Sequence, residues 1–508
     1  MKENLKLTFI TLLFTSYFPA VKGQYFTDIS SSSGVDVSHT ATTFGIGQAW
    51  IDVNNDGYLD IYVTDLEGPN HLLINQGNET FIEISQFDNV NLPQQSCKGV
   101  SIADFDNDGW DDIYVNCLGS NHLFKNNEGL SFSDVTQTAG VDDMNNSQVS
   151  AWADINNDGW LDLYVVNYND GSLAVVDSFF LSNGDSTFTN ISSDFDEVNL
   201  KKPGLAVTFF DYDNDGDQDL YVVVDRLHGN VLWRNDGSAS AECGTYWCFT
   251  DVSAATNTGT EVYGMGIATG DIDSDGDLDM YFSSIGNQVL LLNQLSQGSS
   301  SFIDVSNNSV LNVAETAGWG TLFFDYDNDS YLDAMIATYG QTIDTSEKLF
   351  KGNGDSSFVD VTLNAGITDN IYTEGIAYGD MNNDGLLDIL KGNWNSGYKL
   401  YKNSIVNSNN WIEIKLIGGL DVNLNAIGSR VEVVLQNGKT LIREVTSGDS
   451  RGSSNPLYLH FGLGNSLIDK ITIKWMSAYS EVWTDFSINS RNERDYRTSI
   501  TVFKDGFE

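Results

Sequence analysis

Asp104-Phe105-Asp106-Asn107-Asp108-Gly109-Trp110-Asp111-Asp112 sets carboxylates at positions 1, 3, 5 and 9 of a nine-residue stretch, with glycine at position 6. Alternate spacing lets the first three side chains converge while the chain bends around an ion. Glycine supplies the positive φ which that bend demands. The carbonyl at position 7, from Trp110, adds a backbone oxygen. Several hard oxygens on one loop form a ligand set suited to Ca2+, which takes six to eight.

The same stretch is written seven times. The candidate ligands are Asp52, Asn54, Asp56 and Asp60 in the first copy, and Asp104, Asp106, Asp108 and Asp112 in the second. Asp154, Asn156, Asp158 and Asp162 follow, then Asp211, Asp213, Asp215 and Asp219. The fifth copy has Asp271, Asp273, Asp275 and Asp279, and the sixth Asp325, Asp327, Asp329 and Asp333. Asp380, Asn382, Asp384 and Asp388 complete the set. Successive starts lie 52, 50, 57, 60, 54 and 55 residues apart, a period that fits propeller blades of four strands and their turns. An Asp- and Asn-rich turn that binds nothing could explain a single copy; seven aligned copies count against it. The opening resembles an EF-hand, but Val63, Val115 and Val165 stand at position 12 of the first three copies, where that motif has a bidentate glutamate. Up to seven Ca2+ are expected. Asn54, Asn156 and Asn382 lower the ligand charge of their loops, and Ser330 in place of glycine strains the sixth turn if φ is positive there.

Strand patterns surround each loop. A small-and-apolar segment precedes it, as in Gly264-Met265-Gly266-Ile267-Ala268, and an alternating one follows, as in Leu161-Asp162-Leu163-Tyr164-Val165. A third segment ends in Asn, as in Leu123-Phe124-Lys125-Asn126. The fourth starts with Phe and carries an acid or amide two residues on, as in Phe132-Ser133-Asp134. Its first copy, Phe26-Thr27-Asp28, comes before the first loop, whereas the last loop is followed only by Leu400-Tyr401-Lys402-Asn403. The N-terminal strand is therefore expected to complete the last blade and close a seven-bladed ring without free edges.

These repeats resemble the FG-GAP/VCBS family, whose blades form the integrin α-subunit head and many bacterial secreted propellers. From Trp411 the pattern changes to a smaller β-rich segment. Asn425-Ala426-Ile427-Gly428-Ser429-Arg430-Val431, Phe461-Gly462-Leu463-Gly464 and Ile471-Thr472-Ile473-Lys474-Trp475 resemble the ASPIC/UnbV domain of the cartilage acidic protein family. Trp475-Met476-Ser477-Ala478 stands where relatives usually have Trp-Pro-Ser-Gly. The resemblance implies an acidic secreted protein with calcium loops and no settled activity. The expected division is a signal peptide over 1–23, the propeller over 24–403, the small β domain over 404–490 and a tail over 491–508.

The formal net charge of −46, from 71 acidic and 25 basic side chains, disfavours nucleic acid and anionic lipid as partners. Hydrophobics at 41% and aromatics at 12% still allow a large core, so the acidity belongs to a folded protein, and bound cations are its simplest reason. Lys2, Lys6 and the apolar run from Leu7 to Phe18 read as a secretion signal cleaved before Gln24. A buried strand or a membrane anchor are the alternatives, although the run is short for a span. No other segment is long enough to cross a membrane. Cys97, Cys117, Cys243 and Cys248 suggest two disulfides between sequence neighbours, with buried free thiols as the alternative. A monomer is expected.

One catalytic pattern matches formally: Gly448-Asp449-Ser450-Arg451-Gly452 fits the hydrolase elbow G-x-S-x-G. A loop follows it rather than a helix, and His460 shows no acid partner in the sequence, so a polar loop explains it better. His71 and His122 share one repeat position, which favours a structural role. No catalytic residue is assigned. The favoured function is a secreted binding or adhesion module for a protein or glycan. The alternative is an extracellular enzyme acting on glycans at the channel, which basic and aromatic residues with a free acid at one ring face would support.

Overall fold

The computed structural model describes residues 24–497 except 42, 169–174, 195–200, 238–247, 314–315, 340–346, 370 and 477–478. The proposed signal segment and Cys243 lie outside the described residues. Among those described, seven four-stranded antiparallel units follow one another. In one unit Ser96–Ala103 pairs with Asp112–Leu118, then His122–Asn126 and Phe132–Asp134 follow in order. The Asp loop joins the first two strands of every unit. The last unit is Thr373–Gly379, Asp388–Asn393 and Gly397–Asn403, and its fourth strand is Phe26–Asp28 from the N-terminal end, with Phe26 opposite Asn403. The offset read in the sequence is the closure of the ring.

First strands stand side by side in chain order around a central axis. Gln48–Ile51 packs between Ser96–Ala103 and Thr373–Gly379, so the last unit meets the first. The glycines of these strands permit that approach. A Cβ on Gly266 would lie 2.4 Å from the Trp319 carbonyl oxygen, and one on Gly99 would lie 2.3 Å from that of Gln148. Aromatic and branched side chains fill the seams between units; Phe209, Phe179, Val222 and Trp233, for example, form one buried cluster. Fourth strands end in a repeated device. Asp134 accepts hydrogen bonds from the Thr136 amide and hydroxyl, and the Thr136 oxygen accepts the Leu123 amide. Asp28 and Ser30 do the same for Leu400 across the closure. Cys97 and Cys117, opposite each other in register, form a disulfide. Cys248 is also disulfide-bonded.

The C-terminal part has two sheets. Asn410–Ile417 lies between Leu459–Gly464 and Arg491–Asp495, while Thr440–Glu444, Arg430–Leu435, Ile468–Trp475 and Tyr479–Trp483 form the other in that order. Arg491–Asp495, placed in the tail by the sequence reading, instead pairs in parallel with Asn410–Ile417. Its Arg-Asn-Glu-Arg-Asp sequence has no apolar alternation to betray a strand, and backbone pairing holds it there with ion pairs from Arg491 to Glu413 and from Arg494 to Glu481. Ile412, Val431, Phe461, Ile471 and Trp475 form a core continuous with Phe105, Trp152 and Leu161 of the ring. The ring and this part therefore share one apolar interior.

Between these sheets, residues 446–456 leave the small module and enter the ring. The Ser447 hydroxyl donates to the Ile102 carbonyl, Ser450 and Ile267 exchange backbone hydrogen bonds, and Gly452 accepts the Gln48 and Val100 amides. Ser453–Ser454 then pairs in parallel with Gln48–Ala49. The G-x-S-x-G match is thus an inserted hairpin in the channel. Its serine hydroxyl is buried without a partner. His460 does have an acid beside it, Glu413 at 3.4 Å, a contact the sequence could not show, but its other ring nitrogen bonds Asn328. Among the described residues no helix is long and apolar enough to cross a membrane.

Phe26 is fully buried in the strand that closes the ring. Replacing it with alanine is expected to cost about 3–5 kcal/mol, read as a fall in the urea midpoint of the full chain.

Candidate metal-binding loops

The seven loops share one hydrogen-bond plan. The position-1 aspartate accepts the amides of positions 5 and 6: Asp108 and Gly109 donate to Asp104 at 3.0 and 2.8 Å, and Asp384 and Gly385 to Asp380 at 3.1 and 2.7 Å. Position 4 takes positive φ in every copy, from 52° at Asn55 to 62° at Ser274. Position 6 does so too, and Ser330 stands there at 81°. The strain foreseen for Ser330 is present.

Position 9 does more than offer a ligand. Asp112 accepts the Phe105 amide on one oxygen and the Asn126 amide on the other, and Asp60, Asp162, Asp219, Asp279, Asp333 and Asp388 repeat the pattern. All seven are buried. Burial pushes the Asp60 carboxyl up to about 8 and the other six well above the usual range.

Positions 1, 3, 5 and 9 converge unequally. Ligand atoms of Asp104, Asp106 and Asp108 lie within 4.8 Å of one another, as do those of Asp211, Asp213 and Asp215. Asp271, Asp273 and Asp279 form a third group and Asp325, Asp327 and Asp333 a fourth. In each group the position-3 aspartate keeps one oxygen buried with no hydrogen-bond partner: Oδ1 of Asp106, Asp213, Asp273 and Asp327. Asp275 and Asp329, at position 5, belong to the same two loops. The remaining loops carry Asn54, Asn156 and Asn382 at position 3, and each amide donates at 3.0 Å to the position-5 carboxylate, Asp56, Asp158 or Asp384. Asp52, Asp154 and Asp380 complete those weaker loops. The four groups can hold a metal ion.

Sequence reasoning missed two sets of residues. The first is basic: Lys125 bridges Asp106 and Asp108, and Lys351 bridges Asp327 and Asp329. Both sit one residue before the end of the third strand, where the fifth unit has Leu292. The group in the fifth loop therefore faces no such lysine. Burial and the neighbouring Asp275 push Asp271 and Asp273 up to about 6. The second set links the units. The position-4 amides of Asn55, Asn107, Asn328 and Asn383 donate to the carbonyls of Gly109, Gly159, Gly385 and Gly57 in the next loop. Asn157 and Asn214 reach Asp217 and Asp277 instead. Third-strand Asn75, Asn126, Asn235, Asn293 and Asn403 reach backwards, to the position-2 carbonyls of Met381, Val53, Ile155, Tyr212 and Tyr326. Recurrence at fixed loop positions was the available signal. His71 and His122 occupy equivalent places, bonded to Glu83 and Asp134.

The small module sits on this loop face. Asn425 accepts the Asp104 amide and donates to Asp111, Arg430 donates to the Asp211 carbonyl, and Lys439 donates to the Ser330 carbonyl. His460 bonds Asn328, and Arg491 donates to the Gly57 carbonyl.

Ser330→Gly is expected to stabilise the chain by about 1 kcal/mol, measured by urea unfolding. Raised carboxyl pKa values stabilise a fold fully below the unfolded pKa, and that stability is lost as pH rises through the folded pKa. In EDTA the melting temperature should therefore fall between pH 5 and 8, and saturating Ca2+ should flatten the slope.

Residues 52–115, 154–222, 211–282 and 325–390 match the FG-GAP-like repeat, and residues 419–498 match the ASPIC and UnbV family. Cartilage acidic protein 1 of Homo sapiens is 24% identical over 523 residues, covering 92% of this chain and 75% of that protein. The Mus musculus protein of the same name is 23% identical over 484 residues, covering 87% and 72%. Among solved structures, an Agrocybe aegerita lectin that recognises non-reducing terminal N-acetylglucosamine aligns with a TM-score of 0.40 and 16% identity, over 62% of this chain and 79% of its own. YCF48 bound to a D1 peptide aligns with a TM-score of 0.43 and 10% identity, over 77% and 100%. The seven loops, the ring they join and the module seated on them make this chain a member of the FG-GAP-repeat family with an ASPIC and UnbV domain at its C-terminal end.

Proposed function

We propose that the chain is a secreted, calcium-stabilised binding module whose ligand is a protein or a glycan. The observation that carries the calcium reading is the unpartnered, buried Oδ1 of Asp106, Asp213, Asp273 and Asp327. Each faces other carboxylate oxygens within ligand distance of a single ion. A buried acceptor without a donor is costly, and a hard divalent cation would satisfy several at once. The fifth loop, with three grouped carboxylates and no lysine, is the strongest of the sites, and the Asn-bearing loops are the weakest. Extracellular modules of this chemistry bind Ca2+ at about 0.1–1 mM. At ten times such a constant each occupied site adds about 1.4 kcal/mol.

The binding reading rests on architecture. A closed ring with a module clamped on one face is a rigid scaffold, and neither family description names a reaction. Because the module covers the loop face, partners meet the outer rim, the module's outer surface or the opposite face. The domain division follows the same lines, with the ring ending near residue 403 and the small module beyond it.

Thermal unfolding of the purified chain in Ca2+, in Mg2+ and in EDTA tests the metal. A rise in melting temperature specific to Ca2+ is expected, and Asp273→Asn should reduce it more than Asp56→Asn. No response at millimolar Ca2+ would remove the metal from the proposal.

A further inference from the structure

The face opposite the Asp loops opens into a cavity of about 700 Å3 at the mouth of the channel. Its floor is Arg451, the tip of the inserted hairpin, which is 5% exposed and lies 4.5 Å over the Trp319 ring. Nη1 of Arg451 is buried with no hydrogen-bond partner. Lys98 lines the same cavity, also buried, with its ammonium held by the Asn146 side chain at 2.6 Å. Neither cation reaches a carboxylate at ion-pair distance among the described residues. In a chain with 71 acidic side chains, two neighbouring buried cations that share a single buried acid, Glu374, are the anomaly. Glu374 turns one oxygen to the Gly45 amide at 2.9 Å and keeps the other buried without a hydrogen-bond partner, out of ion-pair reach of either cation. Asp225, at the rim, is taken by the Tyr168 hydroxyl and the Arg226 amide. Burial and the Arg451 charge together push the Lys98 ammonium down to about 8.

We propose that this cavity binds a small carboxylate with a ring-shaped body, its carboxylate on Arg451 and Lys98 and its ring against the aromatic wall that Phe44 and Trp319 form. Leaving a buried cation uncompensated is expensive, and a guanidinium presents the paired donors that a carboxylate accepts. Phe44 is 41% exposed despite its size and packs at a tilt against Trp319 at 4.8 Å and Trp394 at 4.9 Å. That aromatic wall suits a flat ring or the apolar face of a sugar. The ligand acid could be an acidic sugar or an aromatic acid, which share the recognised chemistry. The site is separate from the metal loops and stands without them.

Calorimetric titration of the full chain in Ca2+ would use two matched pairs, glucuronate against glucose and phenylacetate against phenylacetamide. At least one acid should bind about tenfold or more tightly than its neutral partner, and which pair responds identifies the body. Arg451→Gln and Lys98→Met should each bring that acid to the level of its neutral partner. Retained thermal unfolding would show that each variant is folded. Acids that bind no better than their neutral partners, or binding that survives both substitutions, would overturn the proposal. Failure of the calcium reading would appear separately, as wild-type melting insensitive to Ca2+.

Discussion

Seven buried aspartates at the end of the loops hold the ring in register. Each spends one oxygen on the amide at the start of its own loop and the other on an amide of the third strand, as Asp112 does with Phe105 and Asn126. A residue fixed on both sides leaves the loop one path, and that path brings positions 1, 3 and 5 together. The third-strand asparagine, placed by the same carboxylate, then reaches the previous loop, as Asn126 reaches Val53. Geometry is thus passed from unit to unit, and Asn75 and Asn383 carry it across the closure to Met381 and from there back to Gly57. The cost is electrostatic. Carboxylates held at such spacing out of water resist ionisation, and a cation relieves them. Lys125 and Lys351 supply one in two loops, and the fifth loop contains none.

The loop face is also a docking surface for the chain itself. Asn425, Arg430, Lys439, His460 and Arg491 contact loop residues in four of the units. Several of these contacts are to loop carbonyls or position-4 side chains, whose placement depends on the turn. The shape of the loops and the seating of the module are therefore linked through ordinary hydrogen bonds. The shared apolar core from Trp475 to Trp152 adds hydrophobic burial to the adhesion.

Much of this was legible in the residues. The loop repeat, the four strand patterns and the offset of Phe26-Thr27-Asp28 are local and periodic, so they gave the ring and its closure. Pairing of Cys97 with Cys117 followed from two strands flanking one loop. What was not legible depends on partners distant in sequence. Gly448-Asp449-Ser450-Arg451-Gly452 reads as an elbow or a loop until the ring supplies Ile267 and Gln48 as its neighbours. Arg491–Asp495 is polar throughout, and only Asn410–Ile417 makes it a strand. Lys125 reads only as part of a third strand, because its target, Asp106, lies across a hairpin rather than beside it.

The channel shows how one insertion can decide between kinds of function. A ring of this size with an open axis invites a reading in which substrates reach the centre from either side. Residues 446–456 remove that possibility from the loop side by pairing with the first strands, Ser453–Ser454 with Gln48–Ala49 among them. The same hairpin carries Arg451 to the far mouth, where it meets Lys98 and an aromatic wall. Basic and aromatic groups with an acid nearby were the mark expected of an enzyme, and Glu374 is such an acid, with one oxygen on the Gly45 amide and the other buried without a hydrogen-bond partner. His460, the histidine nearest the elbow in sequence, is held by Asn328 and Glu413 within the module contact. Two buried cations against one buried carboxylate leave the floor of that cup a net positive charge, which favours an anion there.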